Sequence, residues 1–445
     1  MNWLKTHFKW LYPGLKVKRW LFLALMGVIL SSWGLALIIE ANWSAFLFFI
    51  NRLLEKHYIS YSSLMISGIF FIILGLFVIS FSLKMGTKSV LNAVIPHNEA
   101  SLVEVIYEKR QLKKGPKIVV IGGGTGLSAL LRGLKHYTSN ITAIVTVTDD
   151  GGCSGKLRGE LGILPPGDLR NNLVALADRE SLLEDLLNYR FSKGEGLEGR
   201  NLGNLLLAAM TDLTGDMDKA LKEISKVLAV RGVVLPSTLS NVTLKAQMDD
   251  GLEVYGETKI VKYPGKIVQI QLVPDDCEPV EDALKAIQEA DAVIIGPGSL
   301  YTSIIPNLLI KKIAEAVNKS NSPVYYVCNV MTQPGETDYF TAADHVKAIK
   351  ANIPRLKIDR VIVNTGSVPK KHAQKYEIRG SHPVALDEKA FRKLDIKIHK
   401  ADLVNLCDLV RHDSDKLAKV IIKEILKDVH VAERIRILDS LWRNS

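Results

Sequence analysis

Between Lys117 and Asn172 the chain twice runs a short apolar segment into a glycine-rich turn. It reads KIVVIGGGTGLSALLRGLK, then ITAIVTVTDDGGCSGKLR, then PPGDLRNN. An apolar run closing on glycine is the pattern of a buried parallel strand, which is covered on both faces and shows no polar alternation. Leu127, Leu130, Leu131 and Leu134 follow the first turn at helical spacing. Strand, glycine turn and helix in that order build a crevice at the C-terminal strand ends of a doubly wound α/β sheet. The chain is therefore expected to hold a phosphorylated ligand there.

Gly122, Gly123, Gly124 and Gly126 let a ligand approach the backbone, and Thr125 can cap the helix behind them. A helix N-terminus then offers unpaired N–H groups to a phosphate. Two common motifs fail. In G-x-G-x-x-G register from Gly122 the third glycine position is Leu127, and Leu157 follows Gly155 and Lys156 where a Walker A loop needs Ser or Thr. A glycine turn without a ligand is the plain alternative, weakened by the backbone entropy that so many adjacent glycines cost.

Residues 141–147 form the second strand, ending on Thr148, Asp149 and Asp150. Adjacent carboxylates there can hold a divalent cation, accept from a sugar hydroxyl, act as a base, or simply cap the loop 151–155. Lys156, Arg158 and Arg170 are candidate partners for a diphosphate. Later, NLGN ending at Asn204 opens another helix. Residues 292–295 run into GPGSLYTS, with Gly298, Ser299 and a Tyr301 ring able to stack on a base or sugar. Residues 324–327 run into Cys328 and Asn329, with MTQPGETD behind. These strand ends are expected to converge.

Residues 21–39 and 61–83 are uncharged apolar runs long enough for a bilayer core. Lys5, Lys9, Lys16, Lys18 and Arg19 precede the first, and Lys84 and Lys88 follow the second. The loop between them has only Arg52 and Lys56, so both termini and the globular body are expected in the cytoplasm, with residues about 40–60 outside. A cleaved signal peptide fits less well, because a second span follows. The expected organisation is a transmembrane hairpin over 1–83, a basic linker over 84–116 and a body over 117–445. Within the linker, 101–114 can form a helix lying on the membrane surface or standing in solvent. The formal charge of +10 belongs to this end: residues 1–117 hold 14 Lys/Arg against 5 Asp/Glu, and the rest 43 against 42. The excess argues for anionic lipid and against nucleic acid. Cys153, Cys277, Cys328 and Cys407 lack C-x-x-C spacing and read as reduced thiols.

The ordered segments GGGTGLSALLRGLK, TVTDDGGCSGKLR, PPGDLRNN, NLGNLLLAAMT, IGPGSLYTSIIPNLL and CNVMTQPGETD resemble the YvcK family. These are gluconeogenesis or morphogenesis factors that share a fold with CofD, the 2-phospho-L-lactate transferase of deazaflavin coenzyme biosynthesis. The resemblance covers roughly residues 115–435. It implies a Rossmann-like, doubly wound, mostly parallel α/β sheet, preceded here by the transmembrane hairpin, and binding of a UDP-sugar such as UDP-N-acetylglucosamine. Its implied ligand positions are Gly122, Gly123, Gly124, Thr125, Gly126, Asp150, Asn204, Gly298, Ser299, Tyr301 and the loop holding Thr332, Gln333, Glu336 and Thr337. Asp149 and Asn329 join them from the residue reading. Two positions depart from the family: Arg200 stands where it has histidine, and Cys153 where it has serine.

The resemblance implies a regulator of cell-wall synthesis and cell shape, with a nucleotide sugar, the bacterial inner membrane and cell-wall synthesis proteins as partners. No catalytic residue and no resident cofactor are assigned. The alternative is a CofD-like transferase moving a phospholactyl-type group from a nucleotide-diphosphate donor to a deazaflavin, with Asp149 and Asp150 holding Mg²⁺. A nicotinamide oxidoreductase is disfavoured by the failed fingerprint. Residues 417–442 are expected to form a helix packed on the core through Val420, Ile421, Ile425, Leu426 and Val429, a homo-oligomer face being the lesser alternative, and His345 and His412 read as structural.

Overall fold

A computed structural model of the protein describes residues 18–51, 61–94, 110–178, 181–405 and 410–428. Its contacts divide the chain into two units, Met1–Tyr107 and Glu108–Ser445.

The first unit is a pair of long helices, α1 (Lys18–Asn51) and α2 (Tyr61–Val94). Arg19–Glu40 and Met65–Ser89 within them are long and apolar enough to cross a membrane. Helix is what such a run must form in lipid, since its backbone has no other hydrogen-bond partner. Small residues let the two backbones meet. A Cβ on Gly34 would stand 2.6 Å from the Gly68 carbonyl oxygen, and one on Gly75 2.6 Å from that of Gly27. The outward side chains are apolar: Phe22 is 64% exposed, Ile73 62% and Phe77 68%. Helix α2 continues through Val94, so the start of the expected linker is helical. Of the helix foreseen over 101–114, residues 110–114 are helical with Leu112 buried, and the earlier ones lie outside the described residues.

The second unit is built on strands β1 (Ile118–Gly122), β2 (Ile141–Val145), β3 (Val233–Pro236), β4 (Thr243–Met248), β5 (Glu253–Tyr255), β6 (Ile267–Val273), β7 (Ala292–Ile295), β8 (Val324–Val327), β9 (Arg360–Asn364), β10 (Lys397–Ala401), β11 (Val404–Asn405) and β12 (Arg411–His412). Seven of them form one sheet in the order β10-β9-β8-β7-β1-β2-β3. Every pairing in it is parallel. From β1 the chain winds outward through β2 and β3, then returns to β7 on the other side of β1. That reversal makes the gap between β1 and β7 the topological switch point, where an open α/β sheet binds its ligand. β1, β7 and β8 are buried along their whole length, which explains their unbroken apolar sequences.

Between β3 and β7 a three-stranded antiparallel sheet, β5-β4-β6, is inserted. The helix Ser414–Asp428 packs on the body with Leu417, Ala418, Ile421 and Ile425 fully buried, as the sequence led us to expect of a core helix. Val429 and the residues after it lie outside the described residues.

Candidate functional site

The two strand ends at the switch point carry glycine segments that pack backbone to backbone. Helix α3 (Gly124–Leu134) follows β1, with Gly124 at φ 66°. A Cβ on Gly126 would stand 2.9 Å from the Pro297 carbonyl oxygen, and one on Gly298 3.0 Å from that of Gly123. Any larger residue at either place would push the segments apart. Glycine is thus demanded here by the neighbouring loop as well as by any ligand.

Asn329, just beyond β8, fixes this contact. Its Nδ2 donates to the Gly298 carbonyl at 2.7 Å, and its Oδ1 accepts the Gly298 N–H at 3.2 Å. Gln333 donates from Nε2 to Ser299 Oγ at 2.6 Å. Gly124, Thr125, Gly126, Gly298, Ser299, Asn329 and Gln333 therefore share one cavity of about 180 Å³. Seven positions expected from sequence are brought together in it, while Gly122 and Gly123 lie just behind in the turn.

The first free donor of α3 is occupied. Asp168 Oδ2 accepts the Gly124 N–H at 2.7 Å, and burial pushes the Asp168 carboxyl up to about 6. Beside it stand Asp149 and Asp150. Asp149 accepts from Gly151 N at 2.8 Å, and burial raises its pKa. Asp150 Oδ1 accepts from Thr258 N at 2.9 Å and Thr258 Oγ1 at 2.7 Å, tying the β2 loop to the short helix Glu257–Lys262 that follows β5. Glu257, next to that threonine, is pushed up to about 9, first by burial and then by Asp149, Asp168, Glu336 and Asp150. Glu257 keeps its proton at neutral pH because burial strips water from the charged form and the neighbouring carboxylates repel a further negative charge.

As a Mg²⁺ site the cluster fits poorly. Among the described residues no three His, Cys, Asp or Glu side chains converge closely enough to hold a metal ion. Asp149 and Asp150 each spend an oxygen on protein donors, so no step is derived through a metal.

Other expected residues have structural neighbours. Tyr301 is 3% exposed, with its ring edge-on to Phe340 at 6.4 Å. This packing gives it no open face on which a base could stack. It is the second residue of a short π-helix, Leu300–Ile304, in whose first turn Glu336 accepts hydrogen bonds. That carboxylate accepts from Tyr301 N at 3.2 Å and Thr302 Oγ1 at 3.3 Å, and burial pushes it up to about 7. Thr332 and Thr337 are buried; Thr332 Oγ1 accepts from His382 N at 2.8 Å and Thr337 Oγ1 from Gln333 N at 2.9 Å. Asn204 is buried in the first turn of the helix Leu202–Thr214, its Oδ1 without a partner among the described residues. Arg158 donates to the Val242 carbonyl at 2.6 Å and Arg170 to that of Leu187 at 3.1 Å, while Lys156 is exposed. The two arginines tie segments of the body together through these bonds. Arg200 is held by Glu160 at 2.7 Å, and the Cys153 sulfur accepts from Asn201 N at 3.3 Å.

Of the polar cavity residues, Arg411 on β12 carries no signal in the sequence, and His412 beside it, expected to be structural, also lines the cavity. Arg411 is exposed at the cavity. His412 is buried, and desolvation lowers its pKa to about 4. The RHD triplet that carries them has no glycine or strand-end signal, and only the tertiary fold brings it to the switch point.

The body matches the family model described as 2-phospho-L-lactate transferase CofD over residues 118–404. The gluconeogenesis factor of Bacillus subtilis is 50% identical over 314 residues, 70% of this chain and 99% of that protein. A Nostoc sp. relative, named as a candidate gluconeogenesis factor, is 49% identical over 422 residues, 94% of this chain and 92% of that one. That likeness is longer than Glu108–Ser445 and so reaches into the helical hairpin unit. The crystal structure of a UPF0052-family protein from Bacillus halodurans superposes with a TM-score of 0.68 at 47% identity, covering 69% of this chain and 99% of that one.

Proposed function

The chain belongs to the CofD-like family of gluconeogenesis factors, and from that premise we propose that it is a membrane-tethered regulator that binds a nucleotide sugar of the UDP-N-acetylglucosamine kind. The observation that carries the reading is the cavity at the switch point, which two glycine segments, Ser299 and Arg411 line together. The N–H groups of Thr125 and Gly126, in the first turn of α3, are orphans of the helix start and suit a phosphate. Arg411, which lines the same cavity, can grip the same phosphate. At about 180 Å³ the cavity is smaller than a whole-ligand pocket, so the remainder of the ligand extends outside it.

In this reading the hairpin sits in the bacterial inner membrane with the body in the cytoplasm, where the nucleotide sugar is made and consumed. Occupancy reports precursor supply to the cell-wall synthesis machinery. A transferase activity is the second reading, favoured by the CofD-type family match.

Calorimetric titration of the full chain in detergent with UDP-N-acetylglucosamine, alongside a search for product by mass spectrometry, tests both. Saturable binding without turnover, weakened more than about tenfold by Arg411→Ala, supports the regulator. Absence of binding would sink it, and product from a nucleotide-activated phospholactate would replace it with the transferase.

A further inference from the structure

Because the large sheet is parallel throughout, its strands all begin at one end of the body and finish at the other. The ligand crevice lies at the finishing end, where Asp149, Asp150 and Asp168 gather. The end where strands begin has the opposite character. Arg110 and Lys113 precede β1, Arg355 precedes β9, Arg392 and Lys393 precede β10, and Lys397 opens it. All six are exposed, and none makes an ion pair among the described residues. Carboxylates at this end are mostly engaged. Glu289 is held by Lys117 at 2.8 Å, Asp291 by the Lys117 N–H at 2.7 Å, and Asp359 by the Val324 N–H at 2.8 Å; Asp395 is an exposed exception.

Residues after 117 hold 43 Lys/Arg against 42 Asp/Glu, so these cations reflect a segregation of charge and not a basic composition. Four strand positions separate β10 from β1, which spreads the cations over about 20 Å. A recess of about 800 Å³, lined by Lys357, Arg360, Arg392 and Lys397, lies at the β9–β10 side of this face. The chain arriving from the hairpin enters the body here and is clamped. Leu112 is buried, its carbonyl accepts from Ser139 N at 2.9 Å, and a Cβ on Gly115 would stand 2.6 Å from Thr138 Cβ. Between Val94 and Arg110 the chain can extend at most about 55 Å. A bilayer holding the hairpin therefore meets the body at high effective concentration.

We infer that the N-terminal strand ends form a docking face for an anionic bilayer surface. The inference rests on the hairpin being inserted in the membrane. Acidic head groups complement the unpaired cations, each of which strengthens such a contact about fivefold. Docking by this face leaves the ligand crevice, at the opposite strand ends, directed away from the lipid.

The test uses the full chain in nanodiscs, read by hydrogen–deuterium exchange. In phosphatidylglycerol-rich discs, segments 110–117, 353–360 and 390–397 are expected to exchange more slowly than in phosphatidylcholine discs, with segment 329–337 at the crevice unchanged. The protection should vanish in about 1 M NaCl, where charges are screened beyond about 3 Å. It should also be lost in the triple variant Arg392→Glu, Lys393→Glu, Lys397→Glu, whose exposed positions leave the core untouched. Protection that survives both treatments overturns the electrostatic face. Pyrophosphate added to phosphatidylcholine discs separates lipid from soluble anion: protection there overturns the bilayer as the partner. Equal exchange in the two kinds of disc overturns this inference and leaves the anchor intact, whereas a chain that enters neither disc overturns both.

Discussion

Asp168 Oδ2 sits 2.7 Å from the Gly124 nitrogen, at the one place in the glycine turn where a phosphate would be expected to take its first hydrogen bond. A carboxylate there competes with an anionic ligand for the same helix end, and its charge decides how strongly. With a folded pKa of about 6, Asp168 is mostly ionised at pH 7.5 and mostly protonated at pH 5.

Asp168→Asn removes that charge while keeping an oxygen for Gly124. Pyrophosphate and nucleotide-sugar affinity are expected to rise about tenfold at pH 7.5 in the variant. In the unaltered protein the affinity should climb as pH falls through 6, and in the variant that climb should be much reduced. Titrations at pH 5.5 and 7.5 decide it; equal affinities for both proteins at both pH values would count against the competition.

Glu336 gives a stability prediction of known sign. Its folded pKa of about 7 lies above the ordinary carboxylate value, so the folded chain keeps a proton that the unfolded chain has lost between about pH 4.5 and 7. Stability therefore falls as pH rises through that window and is level above it. Glu336→Gln keeps an acceptor for Tyr301 N and removes the cost of ionisation, at most about 3 kcal/mol. Apparent melting temperatures should show the variant gaining at pH 8 and not at pH 4.5.

Tyr301 tests packing against contact. Truncation to alanine should destabilise the body by about 3–5 kcal/mol, because the ring is buried against Phe340. Tyr301→Phe should bind nucleotide sugar within about twofold of the unaltered protein. A large affinity loss in the well-folded Phe variant would restore a direct ligand role for the phenol.

Ile73 points outward from the hairpin. In water a charge at such a position costs little, whereas near a bilayer centre Asp costs about 3 kcal/mol. Ile73→Asp should increase the fraction released from membranes by alkaline carbonate, the unaltered chain staying in the pellet. Identical fractionation of both would speak against insertion.

The parallel sheet and its glycine turns were legible because each is local: an apolar run, a turn residue and a helical period lie within about twenty-five residues of one another. The partners of the site were not, because they arrive from far along the chain. Asp150 was readable as a strand-end carboxylate, but its threonine lies 108 residues away, in a short helix of the insertion that carries no motif. Glu257 comes from the same insertion. Arg411 and His412 complete the cavity from a two-residue strand that periodicity cannot announce. Tyr301 failed in the other direction: an aromatic beside a glycine turn looks available, and only the position of Phe340 reveals that its ring is already used.

The clash that a side chain at Gly126 would make with Pro297 has a consequence for descent. Two loops 171 residues apart cannot drift separately, because a bulkier residue in one demands a withdrawal in the other. They are inherited as a matched pair. Chimeras that exchange one loop with a distant relative should therefore need its counterpart from the same parent.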